Sequence, residues 1–208
     1  MPIFCGTISS EAAGWFRMEV AGSAQGPQVP RCRARRRVYQ KVGASVTLLP
    51  GGELFQALEK GVLDGTEFSL PTVDDQLGFY KVAKFYMLPG WHQPSTNKYL
   101  YINAAVWDKL NATTKALIET TCTAAVTISL AKAEALQGKV LEKFEKEGVK
   151  LVKVSPELLK TFQNATKEVM TEESAKDPMF KKIYDSMTAF QKQNQKWTEY
   201  GYLPRDFK

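Results

Sequence analysis

Glu67 and Phe68 are the residues best placed to do chemistry. They follow the tight Asp64-Gly65-Thr66 turn, so the end of one element delivers a carboxylate and an aromatic ring side by side. Such a carboxylate can hold a cation or simply face solvent, and the ring can line a site or fill a core. No nucleophile–base pair or zinc-ligand spacing accompanies them. The one glycine-rich turn, Pro50-Gly51-Gly52, lacks the lysine of a P-loop. Nothing here points to catalysis. His92, the only histidine, lies in the turn-rich Pro89 to Pro94 stretch and is expected to face solvent.

The elements that must position this pair are legible around it. A short apolar run, Val46 to Leu49, reads as a strand meeting the Pro50-Gly51-Gly52 turn. Leu54, Phe55 and Leu58 then recur at helical spacing, and Gly61 stands where a left-handed helix stop is wanted. Further along, Thr72 to Gly78 is expected as a short helix, Lys81 to Met87 as extended chain, and Lys98 to Ile102 as a strand. Ala104 to Leu110 is a short helix. Asn111 is a good N-cap for a long one from Ala112 towards Glu147, stopped by Gly148. Val149 to Val154 is a strand. Ser155-Pro156-Glu157 opens a helix to Glu173, and Asp177-Pro178 opens the last one, to Tyr200. Near the start, Ser9 or Ser10 is expected to cap a helix through Trp15 and Val20.

Composition sets outer bounds. A chain of 208 residues with 44% hydrophobic and 24% charged residues can bury a core as one large domain or two small ones. No apolar run reaches the length of a membrane span. Cys5, Cys32 and Cys122 show no metal spacing and leave an odd count, so no disulfide framework is expected. The net charge of +6 is local. Residues 22–37 hold five arginines and no acid, which leaves the rest of the chain near neutral. Alone, Arg31 to Arg37 would suit a basic module binding nucleic acid or an anionic surface, the alternative function this sequence offers.

The words of the sequence point elsewhere. PGGELFQALEKGVLDGTEF (Pro50 to Phe68), GFYKVAKFYMLPGW (Gly78 to Trp91), YLYINAAVWDKL (Tyr99 to Leu110) and the tail from Asp177 to Glu199 resemble the solute-binding proteins of tripartite ATP-independent periplasmic (TRAP) transporters. CGTISSEAAGWF (Cys5 to Phe16) resembles that family's Cys-Gly to Gly-Trp-Phe element. The likeness is strongest to the branch for keto acids and other monocarboxylates, including components labelled mannitol/chloroaromatic. It implies an α/β, periplasmic binding protein-like fold, incomplete here: most of lobe two plus long C-terminal helices. Residues 1–90 would be the lobe-two core and 91–208 the lobe-crossing strands and C-terminal helical region. Because the family is exported and longer, the chain is expected to be a truncated, impaired fragment of a periplasmic protein.

The resemblance also implies a site. Family members hold a small 2-oxo or hydroxy acid between two lobes, with an arginine on its carboxylate and a sodium or calcium ion completing the site. Glu67 stands at the family's metal-ligating acid and Phe68 at its neighbouring tryptophan. Glu11 stands at a ligating glutamine, Gln93 at a further acid after the Pro-Gly-Trp turn, and Trp91 at the cleft. Glu11 and Glu67 are thus the expected metal ligands; Glu11, Glu67, Phe68, Trp91 and Gln93 are the expected solute-binding set. The rival readings are a surface acid at Glu67, core packing at Phe68, a helix-start charge at Glu11 and hinge packing at Trp91.

The arginine position holds Pro30, within a segment that breaks the family pattern. Read one base later, codons for Gln25 to Arg37 can spell Lys-Gly-Leu-Lys-Phe-Arg-Val-Ala-Gly-Leu-Ala-Gly-Glu, rejoining the family at Val38. Residues 25–37 therefore read as frameshifted, with a buried strand and the arginine lost, rather than as a nucleic-acid-binding arm. The implied partners are a small carboxylate, TRAP permease subunits in the membrane and a second copy, joined through the apolar C-terminal helix.

Overall fold

The computed structural model describes residues 1–19 and 33–202. Pro30, Arg31 and most of the segment read as frameshifted lie outside them. Two sheets organise the described residues. In the first, β1 (Pro2–Ile8) pairs antiparallel with β5 (Thr96–Tyr101). The second has the order β3-β2-β4-β6, with β2 (Gly14–Phe16) between β3 (Gly65–Thr66) and β4 (Phe85–Leu88), and β6 (Lys150–Lys153) parallel to β4.

The four-stranded sheet is buried on both faces, and strand alternation explains how. In β2, Trp15 points to one side and Phe16 to the other; in β4, Tyr86 and Met87 divide the same way. Phe16 and Met87 meet α1 (Arg33–Lys41) and α6 (Pro156–Lys176) through Val38, Tyr39, Leu158 and Phe162. Trp15 and Tyr86 stack at 4.1 Å and meet α2 (Gly51–Glu59) and the end of α5 (Ala112–Lys146). Phe144, fully buried on α5, closes that core edge-on to both rings, at 5.0 and 5.6 Å. At 35 residues α5 is roughly 50 Å long, enough to reach from β1 to this second sheet.

The remaining α-helices are α3 (Pro71–Leu77), α4 (Ala104–Lys109) and α7 (Pro178–Tyr200), with a 3-10 turn at Phe79–Lys81. The caps expected at Asn111, Ser155 and Asp177 all accept amide hydrogen bonds from their helices' first turns. Gly61 has φ of 72°, the left-handed conformation expected just past α2. No helix among the described residues is long and apolar enough to cross a membrane.

Three expectations fail. The helix from Ser9 or Ser10 through Trp15 is absent. Its place is taken by β1 and β2, whose pairing with β5, β3 and β4 outweighs a local capping signal. The run Val46 to Leu49 forms no strand; Val46 is buried in the α1–α6 core while Leu48 is exposed. Cys5 and Cys122 form a disulfide, because β1 lies along α5 and brings together cysteines 117 residues apart. Spacing in sequence carries no trace of that approach.

Candidate functional site

Three loop segments converge at one end of the four-stranded sheet. The chain entering β2 is latched to both others. Ala12 N donates to the Ser69 carbonyl at 3.1 Å, Glu11 N to the Gln93 carbonyl at 3.4 Å, and Gly90 N to the Glu11 carbonyl at 2.7 Å. A Cβ on Gly90 would overlap the Glu11 backbone, so this crossing requires glycine. β2 pairs Trp15 with Thr66, and the next residue beyond β3 is Glu67. The sheet edge therefore sets the positions of Glu11 and Glu67 together.

Both carboxylates are buried, Glu11 at 5% and Glu67 at 4% exposure. Glu11 Oε1 accepts from Thr96 Oγ1 at 2.7 Å, and the Gln93 side-chain amide donates to the same threonine oxygen. Glu67 Oε1 lies 3.6 Å from His92 Nε2. The imidazole is not a solvent-facing turn residue; its side chain is only 3% exposed, packed edge-on to Trp91 at 5.3 Å.

Asp74 carries no mark in the sequence. It is fully buried on α3 and accepts from Trp15 Nε1 at 2.8 Å, Tyr86 Oη at 3.0 Å and Ser69 N at 3.1 Å. One carboxylate thus ties the loop after Glu67 to β2 and β4. Burial pushes its pKa up to about 7 against the pull of those three donors, and the Glu67 charge adds to the rise. The Tyr86 hydroxyl is pushed well above its usual value, first by burial and then by Asp74, with Glu11 and Glu67 contributing. Asp74, Glu67 and Glu11 therefore share one electrostatic neighbourhood.

The aromatic members serve packing. Phe68 is half-buried and meets Phe79 edge-on at 6.2 Å, against the α2–α5 core. Trp91 stacks on Phe162 at 4.1 Å and touches Tyr39 edge-on at 5.5 Å. Together with His92 it also lines a cavity of about 850 Å³ towards α6 and α7, whose walls include neither Glu11 nor Glu67. The arginine position, Pro30, lies outside the described residues. Arg37 pairs with Glu172 and Glu173 of α6.

The oxygens at hand are two carboxylates, the Gln93 amide and the Thr96 hydroxyl, a hard set suited to sodium or calcium. Among the described residues no three His, Cys, Asp or Glu side chains form a metal-holding group. A cation here would draw on neutral protein oxygens and on its co-ligand as well.

The profile of the family described as "Bacterial extracellular solute-binding protein, family 7" matches residues 28–177. The chain is 30% identical over 200 residues to the monocarboxylate 2-oxoacid-binding periplasmic protein of Nostoc sp. PCC 7120, covering 95% of itself but only 55% of that relative. It thus spans about half the length of the curated relative. A TRAP transporter solute binding protein from Bordetella bronchiseptica RB50, a mixed-occupancy dimer with calcium and picolinate in one site, superposes with a TM-score of 0.87. That match is 29% identical and covers 95% of this chain and 60% of the other. A TRAP periplasmic solute binding protein from Pseudoalteromonas atlantica T6c, with bound sodium and pyruvate, gives 0.85 at 27% identity, covering 96% and 61%.

Proposed function

The chain belongs to the bacterial extracellular solute-binding proteins of family 7, of the TRAP transporter type, and from that premise we propose that it takes a small monocarboxylate for import. The family is one of periplasmic binding proteins rather than enzymes. The solute is a 2-oxo or hydroxy acid, handed on to membrane permease subunits. The observation that carries this reading is that Glu11 and Glu67 are both buried and lie on segments latched to one another at one end of the four-stranded sheet.

Two carboxylates brought close repel in a low-dielectric setting, and a third carboxylate from the solute makes matters worse. A sodium or calcium ion supplies the balancing positive charge. Glu11 and Glu67 would hold it, with Gln93 tied to the same Thr96 hydroxyl as Glu11. Thr96 orients Glu11 through its hydroxyl, and Asp74 holds the loop that carries Glu67. Trp91 and Phe68 shape the walls by packing, not by direct donation.

Thermal unfolding tests the reading. Pyruvate at millimolar concentration is expected to raise the midpoint when calcium is present and to leave it unchanged in chelator, since a ligand stabilises only the state that binds it. A rise of equal size without calcium, or none with both, contradicts it.

We also read α7 as a self-association surface. None of its residues is buried, and Met179, Ile183, Met187, Phe190 and Trp197 are each more than half exposed at mostly helical spacing. A homodimer is expected by light scattering at tens of micromolar, an order-of-magnitude choice for a concentration-dependent contact. A folded monomer there, or a dimer untouched by Phe190→Glu, counts against it.

A further inference from the structure

His92 stands beside Glu67 and is as deeply buried as that carboxylate. Neither of its ring nitrogens has a hydrogen-bond partner among the described residues, although both are shut off from solvent. Buried polar atoms are nearly always paired, and an exception asks for an explanation. Its Nε2 stands 3.6 Å from Glu67 Oε1, about 0.7 Å beyond an ordinary N–H···O distance. Trp91, itself stacked almost parallel on Phe162, blocks the ring on one side. The next residue, Gln93, is tied by its carbonyl to the Glu11 amide. The ring is thus held in place, and a small turn of the carboxylate closes the gap.

We propose that His92 is a positioning residue for Glu67, donating from Nε2–H to Oε1 and so fixing which carboxylate oxygen is presented to a cation. The inference rests on the cation-assisted reading of the site given above. A carboxylate only accepts, so the nitrogen facing it must carry the hydrogen. An imidazole with no other partner among the described residues can give this one fully. Partners of this kind orient ligating carboxylates, and losing one typically costs 10–100-fold in metal affinity.

Because His92 is the only histidine, its ring nitrogens can be followed by nuclear magnetic resonance in the ¹⁵N-labelled chain without assignment ambiguity. Calcium alone is the probe. A protected Nε2 proton is expected that shifts on adding calcium, and that shifts in Glu67→Gln without calcium. By calorimetry, His92→Leu should bind calcium about 10–100-fold more weakly. His92→Gln, whose amide nitrogen falls where Nε2 was, should stay near the parent. Ring signals indifferent to both Glu67→Gln and calcium overturn the proposal, and so do equal calcium affinities in the Leu and Gln variants. A parent chain that binds no calcium defeats the functional reading instead; the response of the ring to Glu67→Gln still decides the pairing.

Discussion

Replacing residues 25–37 with Lys-Gly-Leu-Lys-Phe-Arg-Val-Ala-Gly-Leu-Ala-Gly-Glu is expected to raise affinity for pyruvate, measured with calcium present, by about 30-fold or more. The reason is one position, Pro30→Arg. A guanidinium offers two parallel donors to a carboxylate, and truncating one partner of a buried charge pair typically costs about 2–5 kcal/mol. The segment lies outside the described residues, so the expectation rests on the codon argument and on the family's arginine. The same exchange removes Arg37, which pairs with Glu172 and Glu173. Those groups are partly exposed, and such pairs contribute little. Unchanged affinity in the replaced chain, alongside a normal thermal midpoint, would show that the arginine is not the missing anchor.

The second large effect concerns stability against pH. Asp74 has a folded-state pKa near 7, well above the ~3.9 of an unfolded aspartate. Below the lower value both states hold the proton, and the protonated group's contribution is fully present. Between the two values the unfolded chain ionises first and binds fewer protons, so stability falls as pH rises. Above about 7 the loss is complete, amounting to about 4 kcal/mol. Asp74→Asn keeps the shape but cannot ionise, at the cost of one mismatched donor among Trp15, Tyr86 and Ser69. Urea midpoints measured from pH 4.5 to 7.5 should therefore fall more steeply in the parent than in the variant. Parallel curves would mean that Asp74 ionises freely in the folded chain.

What the sequence reveals follows from how local each signal is. The helices from α4 to α7 are governed by neighbours in the chain: Asn111, Ser155 and Asp177 cap amides two or three residues away. β1 and β2 are governed by partners about 50 to 100 residues away, which no window around Ser9 contains. The Cys5–Cys122 bridge is hidden for the same reason. Asp74 and Asp75 are adjacent and chemically alike, yet the phase of a two-turn helix buries the first among ring donors and leaves the second to pair with Lys143 at 2.5 Å. Within the site, the turn before Glu67 correctly marks an element's end. The burial of His92 has no such marker, because a Pro-rich stretch ordinarily lies on the surface.

Pyruvate titrated calorimetrically into the chain carrying the replaced 25–37 segment, at saturating calcium, with and without Glu67→Gln, bears most directly on the central claim. If Glu67 and Glu11 together hold the cation on which the solute rests, the heat of pyruvate binding disappears in Glu67→Gln and in chelator alike, while the thermal midpoint without ligand stays within a few degrees. Pyruvate binding of unchanged affinity in Glu67→Gln would contradict the account and move the site elsewhere.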